Sequence, residues 1–283
     1  MEERVIVPIQ TRGTKPPLFM VHGLYGILAR TDDMARALGP DQPFYGLLPP
    51  GIDGREQPRN SIAGITAIYL REIRSVAPHG PYRLSSICSG AVIAVDLARA
   101  LAQAGETIDT LLLIDGPTFQ IPADQYDPRG RDPQVFQQLY DSAIAVLRTQ
   151  SGPLVFDVRN SRQLHVAASI GVTMAGLLTA HRPLPYSGPV ELIVSRTRAA
   201  AYFRPELPWQ SILLGPRRIH VLPGNHDSMF HAHLHEVLRL MRFVFDGANK
   251  LGLSVADREA GQGTIPKTPD KRLYPADVAG GLR

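Results

Sequence analysis

Short apolar runs, separated by amphipathic or turn-forming segments, recur along the chain. The runs predict seven strands, at Val5–Ile9, Pro17–Val21, Phe44–Leu47, Tyr82–Ile87, Thr110–Ile114, Val190–Ser195 and Arg218–Leu222. Thr110–Ile114 is too apolar to expose one face to water, and such strands lie in parallel sheets that helices cover on both faces. The pattern therefore predicts an α/β fold with a mostly parallel sheet flanked by helices.

Apolar residues three and four positions apart predict the helices that connect these strands. Asn60 or Ser61 caps a helix whose apolar residues share one face: Ile62, Ile65, Ile68, Tyr69, Ile73 and Val76. Further helices are predicted at Thr31–Leu38, Ser89–Ala104 and Met229–Phe245. Strand and helix therefore alternate over most of the chain.

The alternation stops after Pro117, where two helical patterns follow each other without a strand between them. They begin at Pro133 and Ser161. A helical insert in an α/β sheet indicates a lid, so residues 118–182 are predicted to be a helical lid insertion. The predicted organisation is then a core of residues 1–117 and 183–250, this insert, and a Gly-, Pro- and charge-rich tail of residues 251–283 that is expected to be disordered.

Composition limits the classes of protein that need consideration. The 283 residues are 44% hydrophobic, enough for a sizeable core, and carry 30 Lys and Arg against 26 Asp and Glu. The basic residues are spread singly or in pairs, so a nucleic acid is not an expected partner. No apolar stretch reaches the length that spans a membrane and no apolar leader opens the chain, which indicates a cytoplasmic protein without a membrane partner.

The single cysteine, Cys88, excludes an internal disulfide and argues against a structural zinc site. It stands where the strand Tyr82–Ile87 runs directly into the next predicted helix. A nucleophile elbow requires this sharp turn, with small residues two positions before and two positions after the nucleophile, here Ser86 and Gly90. A lone cysteine is more commonly a buried packing residue. The strand-to-helix context nevertheless favours Cys88 as a nucleophile whose thiolate the helix N-terminus stabilises.

A candidate base and a candidate acid follow at the ends of later strands. His226 lies on a predicted loop at the carboxyl edge of the sheet, where the active sites of open α/β sheets gather. Asp115 directly follows a strand and is expected to orient the imidazole, although a residue there could simply cap a turn. The competing position for the acid, after Val190–Ser195, holds no carboxylate before Glu206. The other histidines after Cys88 are assigned to the insert, a strand or the last helix: His165, His181, His220, His231, His233 and His235.

An oxyanion hole requires two preorganised N–H donors. One is expected from the residue after the nucleophile, Ser89. The other is expected from the Gly-rich loop after the strand Pro17–Val21, where Leu24 is the candidate. Both donors belong to the backbone, so side-chain substitution would not reveal them.

These motifs together resemble the thioesterase domains that release products from polyketide and nonribosomal peptide synthases, a branch of the α/β-hydrolases. The matching segments run in order between residues 5 and about 246, at Pro17–Gly23, Pro50–Arg55, Gly80–Leu84, Leu112–Asp115 and Pro223–Met229. Nucleophile, acid and base also follow the chain order of α/β-hydrolases, and the resemblance supports Asp115 as the acid. The family usually has Gly-Trp-Ser-x-Gly-Gly at the elbow, whereas this chain has Ser86-Ile87-Cys88-Ser89-Gly90-Ala91.

The resemblance implies a release enzyme that receives a polyketide or peptide acyl thioester from an acyl or peptidyl carrier protein and holds it on Cys88. Release follows by hydrolysis, cyclisation or transfer to an acceptor, and a cysteine nucleophile favours transfer over hydrolysis because the acyl-enzyme is itself a thioester. Phosphopantetheine arrives as part of the substrate, and no metal or resident cofactor is called for.

Two other functions remain open on the sequence. One is an acyl- or aminoacyltransferase that shuttles a group between carrier proteins, and the other is a non-catalytic binding module on the same fold. The sequence also leaves open the acyl group, the oligomeric state, whether the chain is free-standing or an excised domain, and whether Cys88 replaces a natural serine.

Overall fold

The structure, a computed structural model, describes residues 5–54, 61–116, 133–149, 160–202 and 208–247. Within these ranges the chain forms the strands β1 (Ile6–Gln10), β2 (Leu18–Val21), β3 (Phe44–Leu47), β4 (Tyr82–Ile87), β5 (Ile108–Ile114), β6 (Val190–Ser195) and β7 (Arg217–Leu222). All seven predicted strands are confirmed, and β3, β4 and β6 have the predicted bounds. The expected tail at residues 251–283 lies outside the described residues.

The seven strands form one sheet in the order β1-β3-β2-β4-β5-β6-β7. Strand β1 pairs with β3 in antiparallel orientation, and every other neighbouring pair is parallel. The carboxyl ends of β2 to β7 therefore meet at one edge of the sheet, and the loops that follow them converge there. The predicted mostly parallel α/β sheet is confirmed.

Helices follow nearly every strand in the described part of the chain. They are α1 (Thr31–Leu38), α2 (Ile62–Val76), α3 (Gly90–Gln103), α4 (Pro133–Thr149), α5 (Ser161–Ala180), α6 (Arg196–Tyr202), α7 (Pro208–Ile212), α8 (His226–Met229) and α9 (Leu234–Asp246). The predicted cap of α2 is confirmed at Ser61, whose side chain accepts a hydrogen bond from the Gly64 N–H. No helix in the described ranges is long and apolar enough to cross a membrane.

The sheet separates two layers of core because successive side chains of a strand point to opposite faces. On one face Phe19 and Leu113 pack with residues of α2 and α3, and on the other Met20 and Leu112 pack with residues of α1 and α9. All six residues of β4 are buried, as expected for a strand with helices on both sides. The central strands and α3 therefore form a rigid base for the loops at the carboxyl edge.

The predicted last helix, Met229–Phe245, is wrong at its start. Residues 226–229 form the separate short helix α8, and α9 begins at Leu234 after a turn. His231 and His233 consequently lie in that turn and not within a helix, while His235 lies in α9 as predicted. Gly224 has a φ of 80°, which only glycine adopts readily, and the helix turn that follows it is set by local capping.

The described part of the predicted insert consists of α4 and α5. Asn160 caps α5 by accepting hydrogen bonds from the Arg162 and Gln163 N–H groups. Ala143 and Leu147 of α4 pack with apolar residues of α5 in a small cluster of their own, which also holds Ile27 from the loop after β2. The remaining parts of the predicted insert, residues 118–132 and 150–159, lie outside the described residues.

Candidate active site

Cys88 occupies the turn between β4 and α3, at the carboxyl edge of the sheet, and is partly exposed. Its φ of 52° is a left-handed conformation that residues other than glycine rarely adopt. The Cys88 N–H donates to the Ile114 carbonyl at the end of β5, 2.9 Å away, which holds the turn. A Cβ on Gly90 would clash with the His22 carbonyl oxygen, so α3 approaches β2 this closely only with glycine there. The elbow geometry that the sequence predicts is therefore present.

Asp115 directly follows β5 and is fully buried, with a φ of 47°. Its N–H donates to the Ile193 carbonyl at 2.7 Å. The carboxylate Oδ1 accepts from the Ser195 N–H at 2.7 Å, and Oδ2 lies 2.7 Å from His226 Nδ1. A buried carboxylate requires such partners. Strands β5, β6 and β7 thus each contribute to holding Asp115 and His226 together.

The sequence predicted that His226 lies on a loop. In the structure it is the first residue of the short helix α8. The preceding Asn225 forms a capping box with Ser228: the Asn225 side chain accepts from the Ser228 N–H at 3.0 Å, and the Ser228 hydroxyl accepts from the Asn225 N–H at 2.9 Å. The Phe230 ring packs edge-on against the imidazole with centroids 5.4 Å apart. These contacts fix the orientation of His226 toward Asp115.

Arg198, in the first turn of α6, is a further charged residue at this site. Its Nη1 donates to the Asp115 backbone carbonyl at 2.6 Å, and its Nε lies 3.3 Å from Asp115 Oδ2. The segment after β6 was considered in the sequence only as a competing position for the acid. The structure places a cation there, directed at Asp115.

The charges of these residues favour a thiolate and an imidazolium. Burial raises the pKa of the Cys88 thiol, but the hydrogen bond and charge of His226, then Arg198 and the Ser89 N–H, lower it below its ordinary value. Burial disfavours protonation of His226, yet its hydrogen bonds to Asp115 and Cys88 raise its pKa to about 9. Burial likewise raises the pKa of Asp115, and His226, Arg198 and Ser195 lower it overall. These shifts favour the Cys88 thiolate with the His226 imidazolium over the neutral pair.

The loop after β2 carries Leu24, whose N–H is the second oxyanion donor expected from the sequence. A Cβ on Gly23 would lie 3.8 Å from the Cys88 Cβ, so the loop passes directly beside the nucleophile position. The Gly23 carbonyl accepts from the Gly26 N–H at 3.1 Å and from His22 Nδ1 at 2.5 Å. Because a trans peptide points its C=O and N–H in opposite directions, this anchoring fixes the orientation of the Leu24 N–H. In the described ranges that N–H has no hydrogen-bond acceptor.

His22 is the residue that holds this peptide. It is 1% exposed, and burial lowers its pKa to about 4, so its imidazole is neutral at pH 7. Since the Gly23 carbonyl can only accept, Nδ1 carries the proton. The Tyr69 ring packs edge-on against the imidazole, with centroids 6.4 Å apart. A neutral, immobile imidazole thus supports the backbone beside Cys88.

Comparison with known proteins identifies the family. The thioesterase-domain family matches residues 16–243, which is most of the chain. The chain belongs to this family. Of its relatives, a dimodular nonribosomal peptide synthase of Bacillus subtilis (strain 168) is 29% identical over 232 residues, 75% of this thioesterase domain and 10% of the relative. Malpibaldin synthetase of Mortierella alpina is 36% identical over 114 residues, 40% of this domain and 2% of the relative. The chain thus spans a small fraction of these relatives.

Solved structures show the same fold. The NocB thioesterase domain, in a covalent complex with a fluorophosphonate nocardicin G analog, matches with a TM-score of 0.66 and 25% identity, over 86% of this chain and 100% of that one. The type II thioesterase BorB from the borrelidin biosynthetic cluster matches with a TM-score of 0.61 and 21% identity, over 85% of this chain and 98% of that one. The α/β-hydrolase fold is confirmed.

The insert of this thioesterase domain packs directly on the loop beside Cys88. A Cβ on Gly171 of α5 would clash with the Tyr25 ring, so helix and ring are in close contact. Burial and then the charge of Cys88 raise the pKa of Tyr25. A Cβ on Gly54 would lie 3.1 Å from Val166 of α5. Helix α5 therefore touches the loops after both β2 and β3.

Sequence reasoning missed four residues that support the thioesterase site. Asn225 and Ser228 carry a recognisable signal, since a capping box has a fixed spacing of three residues. His22 lies in the segment Pro17–Gly23, but the sequence does not show that its buried imidazole donates a hydrogen bond to the Gly23 carbonyl. Arg198 has no local signal, because its partner is 83 residues away in the chain. No group of three His, Cys, Asp or Glu side chains in the described part of the domain is placed to hold a metal ion.

Proposed function

We propose that this thioesterase domain releases a carrier-bound polyketide or peptide acyl thioester through an acyl-enzyme on Cys88. One arrangement carries the proposal. The Cys88 thiol interacts with His226, whose Nδ1 lies 2.7 Å from the buried Asp115 carboxylate. A nucleophile, a base and an acid that orients the base form the group that activates a thiol toward a carbonyl carbon.

In the acylation step, the Cys88 sulfur attacks the carbonyl carbon of the incoming thioester. The negative charge that develops on the carbonyl oxygen is stabilised by the Ser89 and Leu24 N–H groups. The carbon–sulfur bond to phosphopantetheine then breaks, and the departing thiolate takes the proton from His226. Loss of one such oxyanion donor typically slows a reaction roughly 100- to 1,000-fold.

In the release step, His226 removes a proton from water or from a hydroxyl, amine or thiol of an acceptor. The acceptor attacks the acyl carbon, and the Cys88 thiolate leaves. Because the acyl-enzyme is a thioester, it retains nearly the energy of the carrier thioester, so transfer to an acceptor competes with hydrolysis. Hydrolysis, cyclisation and transfer follow the same steps and differ only in which acceptor attacks the acyl carbon.

The proposed substrate class and partner are supported by the relatives and by the insert. The Bacillus subtilis relative named above is a dimodular nonribosomal peptide synthase, which supports a carrier-bound acyl or peptidyl thioester as substrate and a carrier protein as partner. Helices α4 and α5 pack apolar residues over the loops beside Cys88, an arrangement suited to enclosing an acyl chain. Phosphopantetheine enters as part of this substrate, so the proposal includes no resident cofactor.

The test is to incubate the protein with a panel of acyl and peptidyl thioesters, both as N-acetylcysteamine esters and loaded on carrier proteins. Intact-mass spectrometry of the protein and analysis of the released product are recorded together. We expect an acyl adduct on Cys88 in the wild type, none in Cys88→Ala, and slower loading in Cys88→Ser, whose hydroxyl ionises far less readily than a thiol.

The products separate the possible outcomes. Acid or cyclic products support release, and acyl groups found on a second carrier protein support the acyltransferase. Substrate binding without any adduct, or turnover by Cys88→Ala at the wild-type rate, would contradict the proposal. The first of these results would favour a binding module.

A further inference from the structure

We propose that Arg198 is a positioning residue that holds Asp115 in the triad and supports the negative charge of Cys88. This inference deepens the proposed function and rests on it, since Arg198 acts on the same three side chains. Arg198 itself touches neither the reacting sulfur nor the acyl group in the steps given above.

The first ground is the pair of contacts that Arg198 makes with Asp115. Its Nη1 donates to the Asp115 carbonyl at 2.6 Å, while its Nε lies 3.3 Å from Oδ2, the oxygen that also contacts His226. One planar guanidinium thus holds both the backbone and the side chain of one residue, which a lysine ammonium does not match. Asp115 needs this support because its left-handed backbone is strained.

The second ground is the position of Arg198 in the fold. It lies in α6, directly after β6, where its own segment is tied to the other loops of the site. The Thr197 N–H donates to the Gly224 carbonyl at 3.3 Å, next to the capping box that orients His226. The Ser195 N–H donates to Asp115 Oδ1. The segment after β6 therefore contacts the acid and the loop of the base at once, and Arg198 is the cation in it that reaches Asp115.

The third ground is electrostatic. The titratable groups that interact with Cys88 are His226 from α8, Arg198 from α6 and Tyr25 from the loop after β2. The Arg198 charge lowers the pKa of Cys88 and also lowers the pKa of His226 and of Asp115. Removing this charge should therefore move the whole pH range of the thiolate–imidazolium pair to higher pH.

The experiment is the pH dependence of Cys88 alkylation by iodoacetamide in the full chain. Cys88 is the only cysteine of the 283 residues, so alkylation reports on this thiol alone and requires no acyl substrate. The limbs of the profile of alkylation rate against pH are its two transitions, which reflect ionisation of the Cys88 thiol and of the His226 imidazolium. In Arg198→Met we expect both limbs to move to higher pH and the alkylation rate at pH 7 to fall roughly tenfold. In Arg198→Lys the limbs should stay near their wild-type positions, because the charge remains.

Acyl transfer from a thioester substrate gives the second readout. Arg198→Lys should turn over substrate more slowly than the wild type despite its nearly unchanged thiol, because it loses the two-point grip on Asp115. Arg218→Met is the matched control, since Arg218 pairs with Glu191 on the exposed surface of β6 and β7 at 2.7 Å. It removes the same charge and should leave both readouts unchanged.

Unmoved limbs with a uniformly lower rate in Arg198→Met would overturn the inference, because that pattern indicates a purely structural role. Thermal unfolding of each variant is measured alongside. If Arg198→Met does not fold, Arg198→Gln, which keeps a donor for the Asp115 carbonyl, provides the same comparison. A wild type that alkylates normally but never forms an acyl adduct would count against the proposed function, and the shift in the alkylation profile would still decide the role of Arg198.

Discussion

Two residues of the candidate triad, Cys88 and Asp115, have left-handed backbone conformations that residues other than glycine rarely adopt. Their φ values are 52° and 47°, and Arg30 is the other non-glycine residue with a positive φ in the described ranges. Such conformations cost about 1–3 kcal/mol each. They persist here because each residue is tied to a neighbouring strand: the Cys88 N–H to Ile114 of β5, and the Asp115 N–H to Ile193 of β6. The strain places the thiol and the carboxylate on the same side of the sheet edge.

The residue-scale prediction concerns the acidity of His226. We expect NMR titration of the wild type to give a pKa of about 9 for this imidazole. Asp115→Asn and Cys88→Ala should each lower that pKa, because each removes a hydrogen bond to the protonated form. A pKa near that of an ordinary histidine in the wild type would contradict the arrangement.

The same raised pKa makes stability depend on pH. A group whose pKa is higher in the folded chain stabilises the fold fully below its unfolded value, here 6.5, and loses that contribution as the pH rises through about 9. The difference in unfolding free energy between the wild type and Asp115→Asn should therefore narrow over this interval. Urea denaturation of both proteins at several pH values measures this difference in unfolding free energy. A difference that grows with pH would contradict a raised pKa for His226.

At the scale of elements, helix α5 and the loop after β2 form a contact that bears on turnover. The Tyr25 ring rests where Gly171 has no side chain, and Tyr25 follows Leu24, the proposed oxyanion donor. Movement of α5 would therefore be transmitted to the Leu24 N–H. We therefore expect the position of the insert to influence the geometry of the proposed reacting centre through this contact.

Gly171→Ala tests this contact. The added methyl group clashes with the Tyr25 ring, so we expect acyl turnover to fall by about 10- to 100-fold through displacement of the Leu24 N–H. Alkylation of Cys88 needs no oxyanion donor and should proceed at the wild-type rate. Gly64→Ala in α2, whose added Cβ meets only the Ser61 hydroxyl, at 3.0 Å, is the control and should leave turnover unchanged. Equal turnover in Gly171→Ala and the wild type would show that the contact has no role.

Elements were predictable from the sequence where one physical signal dominated. The sequence located β4 and β6 to the residue, and both strands are almost entirely buried, as expected for strands with helices on both faces. The antiparallel pairing of β1 was not predictable, since its sequence pattern does not encode the direction of its neighbour. The last helix was placed too early because Asn225 and Ser228 cap a separate turn, and this local bonding outweighed the apolar periodicity of the segment.

Some residues of the candidate site could likewise be selected from the sequence, and others could not. Cys88, His226 and Asp115 were selected because each follows a strand at the carboxyl edge, a property that the order of elements determines. Their roles stay predictions that the experiments above address. Arg198 could not be selected, because its contact with Asp115 depends on the side-by-side placement of β5 and β6, which the sequence pattern does not give.

For the whole molecule, a buried pair links the insert to the core. His181, which ends α5, places Nε2 2.7 Å from Asp96 Oδ2 of α3, the helix that Cys88 precedes. Asp96 is 4% exposed, and its Oδ1 has no hydrogen-bond partner among the described residues. Among the described residues, His181 is the ion-pair partner of this carboxylate, and the pair adds a polar contact to the apolar packing of the insert on the core.

His181→Ala should lower the free energy of unfolding by about 3 kcal/mol, because it leaves a buried carboxylate without its partner. Adding Asp96→Leu should recover most of that loss, since an apolar side chain of similar volume needs no partner. His79→Ala is the control, because His79 pairs with Glu106 on the surface at 3.3 Å, and its unfolding midpoint in urea should match the wild type. A double variant no more stable than His181→Ala would contradict this account of the pair.

The sulfur and the imidazole that activates it are separated by 138 positions in the chain, and the carboxylate between them is anchored by a strand that also comes late. During synthesis on the ribosome, the cysteine emerges long before α8 does. A nascent chain would therefore carry this residue with the modest reactivity of an ordinary thiol, because its acidity depends on partners that have not yet been translated. The lowered pKa of this thiol would therefore arise only when the last strand of the sheet has taken its place and brought the imidazole to the carboxyl edge.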